Sequence, residues 1–200
     1  MKTLILLLTC VFVGLGEKQT KSVSAGPRSK ETPIVSLKDF PKNGKEEAAI
    51  RKHVKKLAQE IGVATLKGDW AKVIDRTYPP VVAFMGGRKK AIKATEEGMD
   101  AIKAQGIKFK KFKIGEPGEF QFEDGNTFVV IPTDNEMTFP GGKIIGKGYL
   151  LGISSDGGKT WTFADGTGIA NKNTREKVLP KLPANLKLPK LEMPQIVKDN

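Results

Sequence analysis

Cysteine and histidine are nearly missing from this chain of 200 residues, which holds one of each, Cys10 and His53. Cys10 lies in an N-terminal apolar run that the sequence marks for removal, so no disulfide is expected in the remainder and thiolate-built zinc or iron–sulfur sites are excluded. With His53 the sole imidazole, a zinc enzyme lacks ligands, and neither a metal nor a cofactor is expected. Aromatics are scarce at 7%, and the basic residues are mostly Lys spread along the chain. The clustered Arg with interleaved rings that reads nucleic acid is missing, so no specific nucleic-acid partner is expected. No apolar run is long enough to span a bilayer comfortably, so the mature chain should have no transmembrane segment.

What is present is charge of one sign. Lys and Arg number 34 against 22 Asp and Glu, a formal net of +12, which suits either a solubilising surface or acidic partners. Apolar residues at 38% and charged residues at 28% are the composition of a globular chain with one core.

Residues 1–16 read as a signal peptide: Lys2, the run LILLLTCVFVGLG, and small Gly14 and Gly16 ahead of the expected cleavage point. Lipidation at Cys10 is the alternative, although Thr9 stands where lipoproteins carry a smaller residue. The mature protein is expected to be periplasmic or secreted. Residues 17–44, rich in Lys, Ser, Gly and Pro, read as a flexible leader.

From Glu46 onward Ile50, Val54, Leu57, Ile61 and Ala64 recur at helical spacing. Gly68 suits the end of that helix and Asp69 the N-cap of a short second one. Trp70, Val73, Ile74 and Tyr78 line its inner side before Pro79 and Pro80 stop it. VVAFM at 81–85 reads as a short strand, and Gly86-Gly87 leads into a third helix with Ala91, Ile92, Thr95, Met99 and Ile102 inward, ended by Gly106. Beyond Gly106 the period falls to two. Turn signals at Asp124-Gly125-Asn126, Pro140-Gly141-Gly142 and Asp156-Gly157-Gly158 divide the rest into four strands. Phe112, Ile114, Phe120 and Phe122 share one parity in the first; in the third, Ile145, Tyr149, Leu151 and Ile153 alternate with Gly146, Gly148 and Gly152. Such a glycine face lets the sheet bend sharply or another element approach closely. The expected class is α+β, with three N-terminal helices on a strongly curved antiparallel sheet of four main strands, a cone or half-barrel.

Residues 168–200 lie outside this pattern. Leu179, Leu182, Leu186, Leu188 and Leu191, interrupted by Pro180, Pro183 and Pro189, predict an extended strap along the domain, or a segment that docks on another protein.

TLKGDWAKVIDRTYPPVVAFMGG at 65–87, with its Gly68-Asp69-Trp70 turn and apolar segment before Gly-Gly, resembles the start of nuclear transport factor 2-like domains, the SnoaL-like and polyketide cyclase-like cones. The resemblance covers about residues 45–167 and looks like a secreted bacterial member. It implies a cone-shaped apolar pocket. The fold serves isomerases, dehydratases, hydrolases, cyclases and binding-only domains, so it leaves function open. Its enzymes set an Asp, Tyr or His at the bottom of the cone.

The candidate pocket residues are Trp70, Asp75, Tyr78, Tyr149 and Asp165. Binding of a small apolar or acidic ligand is the leading reading. The alternative is isomerase or dehydratase chemistry, with Asp75 or Asp165 as base and Tyr78 or Tyr149 as donor. His53, among Arg51, Lys52, Lys55 and Lys56, belongs at the solvent boundary. A homodimer is left open. Ser154-Ser155-Asp156-Gly157-Gly158-Lys159-Thr160-Trp161 fits the Asp-box pattern of sialidase propellers. One box without a repeat excludes a propeller, so Asp156, Gly158 and Trp161 are assigned a folding role.

Overall fold

The computed structural model describes residues 44–199. The signal-peptide reading, the fate of Cys10 and the leader up to residue 43 lie outside the described residues.

Helix α1, Gly44–Lys67, opens with Glu46 and Glu47 in its first turn and closes with Lys67 in its last, charges that suit the helix dipole. Val54, Leu57, Ala58, Ile61 and Ala64 form its buried stripe. At Gly62 the helix lies on the sheet, for a β-carbon there would stand 3.0 Å from the Phe112 ring. Gly68, at φ +71°, ends the helix, and the Asp69 side chain caps α2, Trp70–Arg76, by accepting from the Lys72 amide.

Here the structure corrects the sequence reading. Helix α2 ends at Arg76, and the 81–85 segment is not a strand; Pro79–Phe84 is a third helix, α3, with proline at its start. Proline lacks the amide that a first helical position leaves unused anyway, so the pair initiates a helix as readily as it ends one. Tyr78 therefore caps α3 and does not ride on α2. Helix α4, Arg88–Ala104, follows, so four helices and not three precede the sheet.

The described sheet is antiparallel and open, with six strands where four were expected: β1 Lys108–Ile114, β2 Gln121–Glu123, β3 Asn126–Phe139, β4 Gly142–Ser154, β5 Thr162–Asp165 and β6 Gln195–Lys198. The order is β1-β3-β4-β5. The expected first strand is two pieces, β1 and β2, which pair with opposite ends of β3. β5 and β6 likewise share β4, at Leu150–Ile153 and Gly142–Ile145 respectively.

Odd positions of β3 face the helices. Val129 and Ile131 pack with Val54, Leu57, Ala58, Ile61, Leu150, Trp161 and Phe163. Met137 packs with Trp70, Met99, Ile102, Ile107 and Ile144. The opposite face carries Phe128, Tyr149, Leu151 and Ile153. It is covered by the C-terminal segment: α5, Lys172–Val178, and then Leu179, Leu182, Leu186, Leu188 and Leu191, all half-buried against this cluster. A Lys181–Glu123 ion pair holds the segment to β2. The tail that the sequence sets outside the domain thus ends inside the sheet, as β6.

The Asp-box turn is closed by its own hydrogen bonds. Asp156 accepts from the Lys159 and Thr160 amides at 3.0 and 2.8 Å and from the Thr160 and Ser154 hydroxyls at 2.6 and 2.8 Å. The Trp161 indole donates to the Gly158 carbonyl at 3.0 Å beneath it. Gly158 sits at φ +88°, where a β-carbon would also meet Ile50 of α1 at 3.0 Å. Arg51, next to Ile50, fastens the same end of α1, donating to the Pro117 carbonyl and to Glu47 while its guanidinium stacks 4.9 Å over the Phe120 ring.

Candidate functional site

The five candidate pocket residues do not converge. Trp70 is buried among Met99, Ile102, Met137 and Ile144 as a core side chain on the helix face. Asp75 is exposed and paired with Arg88, whose Nε and terminal nitrogen donate to its two oxygens at 2.6 and 2.9 Å. That hydrogen bond, only partly offset by desolvation, holds the Asp75 carboxyl below the ordinary carboxylate range. A buried general base needs the opposite shift. Tyr78 stands half-buried beside the cluster on the far face, its amide donating to the Phe163 carbonyl at 2.8 Å. Burial pushes its phenol up.

Tyr149, only 3% exposed, belongs to the same far-face cluster, with its ring laid against Gly166. Burial raises its phenol; Arg175 pulls it down and Asp165 pushes it up. Tyr149 and Asp165 are the one pair of candidates within electrostatic reach of each other. The Asp165 carboxylate is already engaged, accepting from the Thr167 amide at 2.8 Å and from the Thr167 hydroxyl. His53 is exposed on α1. Among the described residues no three His, Cys, Asp or Glu side chains are grouped to hold a metal.

A different pair occupies the middle of the helix face. Between the Val129–Ile131 cluster and the Met137 cluster, β3 carries Thr133 and Asn135 in register with Gly148 and Gly146. The Thr133 hydroxyl oxygen is 3.2 Å, and the Asn135 carboxamide oxygen 2.6 Å, from where β-carbons on those glycines would stand. Both side chains lean across β4 into space that the glycines leave. Val73 of α2 packs against both flanking clusters.

Thr133 is 5% exposed, yet its hydroxyl and the Asn135 carboxamide make no hydrogen bond to a described residue. No described side-chain polar atom is sealed from solvent without a partner, so the Thr133 hydroxyl keeps an opening to solvent. A hydroxyl and a carboxamide supply donors and acceptors without titrating. They can orient a bound molecule. Neither residue stands out by type in the sequence, because the informative signal is indirect: glycines at alternate positions of one strand mark where the neighbouring strand's side chains gain room.

Comparison with protein-family models, with curated proteins and with solved structures returns no match, so the site rests on its geometry.

Proposed function

We propose that this protein is an exported binding module of the nuclear transport factor 2-like type, which holds a small, largely apolar molecule between its helices and its sheet. The signal-peptide pattern of residues 1–16 supports export, and the segment at 65–87 supports the family. The observation that carries the binding reading is the hydroxyl of buried Thr133, which makes no hydrogen bond to a described residue, beside Asn135 and framed by Ile131, Leu150, Met137 and Ile144. A few polar groups in an apolar surround is the makeup of a ligand site. The ligand should present a carbonyl or hydroxyl to this pair.

Thermal-shift and native mass-spectrometric screening against apolar and acidic metabolites tests this. A ligand at about a hundred times its Kd adds about 2.7 kcal/mol, and roughly 5–10 °C to the melting temperature. The rise should shrink in Thr133→Val and Asn135→Leu. No response across the panel, or one that both variants keep in full, refutes the reading.

A further inference from the structure

Helix α3 is anomalous. All six of its residues, PPVVAF, are apolar and none is buried. At 3.6 residues per turn Pro79, Pro80, Ala83 and Phe84 fall on one side, and all four are exposed. Val81 and Val82 fall on the other and are half-buried, with Val81 packed against the far-face cluster. Phe84, at 51%, is the most exposed aromatic side chain among the described large apolar residues.

The chain then turns through Gly86 and Gly87 into the basic start of α4, where Arg88, Lys89, Lys90 and Lys93 are all exposed and the first turn has no acid. Arg88 is paired with Asp75, and Lys93 with Glu97 at 3.7 Å. No ion pair engages Lys89 or Lys90 among the described residues. The Lys90 stem lies back over the turn, its Cδ 2.8 Å from where a β-carbon on Gly86 would stand. An apolar wedge is thus followed directly by two uncommitted ammonium groups on flexible stems.

We infer that the α3–α4 corner docks on an anionic bilayer surface, with Phe84, Ala83 and the two prolines entering the headgroup boundary while Lys89 and Lys90 meet lipid phosphates. Charge selects the occupant: the net charge is +12, and lysines beside an apolar wedge are the pairing that interfacial binding uses. A stable protein interface buries about 800 Å² per partner, more than one six-residue helix offers. An acidic polysaccharide would have no use for Phe84 or the prolines, and a nucleic acid would be read by clustered Arg with interleaved rings, which the sequence lacks. Among the described residues no helix is long and apolar enough to cross the membrane.

The full chain is sedimented with vesicles of phosphatidylcholine alone and of phosphatidylcholine mixed with phosphatidylglycerol. Binding is expected to the mixed vesicles only. Phe84→Asp, and separately Lys89→Glu with Lys90→Glu, should each weaken it about tenfold or more with unchanged melting temperature, since these side chains are exposed. Lys110→Glu with Lys113→Glu, on β1, should change it little. Three results overturn the inference: no binding to mixed vesicles, equal weakening by the β1 pair, or binding indifferent to Phe84, as attachment through the apolar run at residues 4–16 would be.

Discussion

Asn135 lies across Gly146: the two are register partners in β3 and β4, and the carboxamide oxygen stands 2.6 Å from the place of the absent β-carbon. Gly146→Ala must push Asn135 aside, a change that costs about 1–3 kcal/mol in a packed interior. In an Asn135→Ala background the same substitution should cost much less. Urea denaturation of the four species gives the coupling, and additive costs would show that the two residues do not share this space.

Tyr149 separates a packing role from a chemical one. Its ring fills the far face, whereas its hydroxyl makes no hydrogen bond to a described residue. Tyr149→Phe should leave stability within about 0.5 kcal/mol, and Tyr149→Ala should lose about 3–5 kcal/mol. A large loss in the Phe variant would place the hydroxyl in an unrecognised network.

Asp156 predicts an acid-side pH dependence. Burial pulls its pKa up, but hydrogen bonds from Thr160, Ser154 and Lys159 outweigh that and leave the carboxyl below its ordinary value. A depressed folded pKa means the stabilisation is complete above the unfolded value of about 3.9, and is lost as pH falls through the lower folded value. Asp156→Asn removes the titration. Melting curves of wild type and variant should therefore diverge most above pH 4 and draw together below it; parallel curves would contradict the assignment.

The C-terminal strap should be indispensable. Truncation after Asn171 uncovers Phe128, Tyr149, Leu151 and Ile153 and leaves Gly142–Ile145 of β4 without their neighbour β6. Removing five half-buried leucines alone forfeits several kcal/mol, roughly 1 kcal/mol or more each. The expected result is a much lower melting temperature together with binding of a hydrophobic dye. An unchanged melting curve would mean that the leucines serve another partner.

The elements set by local signals were legible in the sequence. The stripe of α1, the Gly68–Asp69 junction and the three hairpin turns depend on residues within a few positions of each other. Helix α3 was not legible, because Val81 and Val82 prefer strands while a strand there needs a partner; the structure offers only a single bridge, Thr77 to Phe163. Tyr78 was misplaced for the same reason, two residues beyond the true end of α2. Thr133 and Asn135 could have been found by counting back from the Pro140–Gly141 turn to the partners of Gly148 and Gly146. Acids and rings stand out in the sequence by type, and type alone does not give position. In the fold Asp75 and Asp165 satisfy local partners, and Tyr149 packs.

β6 is made long after β4, the strand it completes, and the leucines that cover the far face come just before it. A growing chain can form its helices and hairpins as they appear, but its second apolar face stays bare until residues 179–198 have been added. Synthesis therefore outruns closure. Anything that holds residues 179–198 apart from the sheet, a chaperone for example, keeps the far face open while the helix face is already packed.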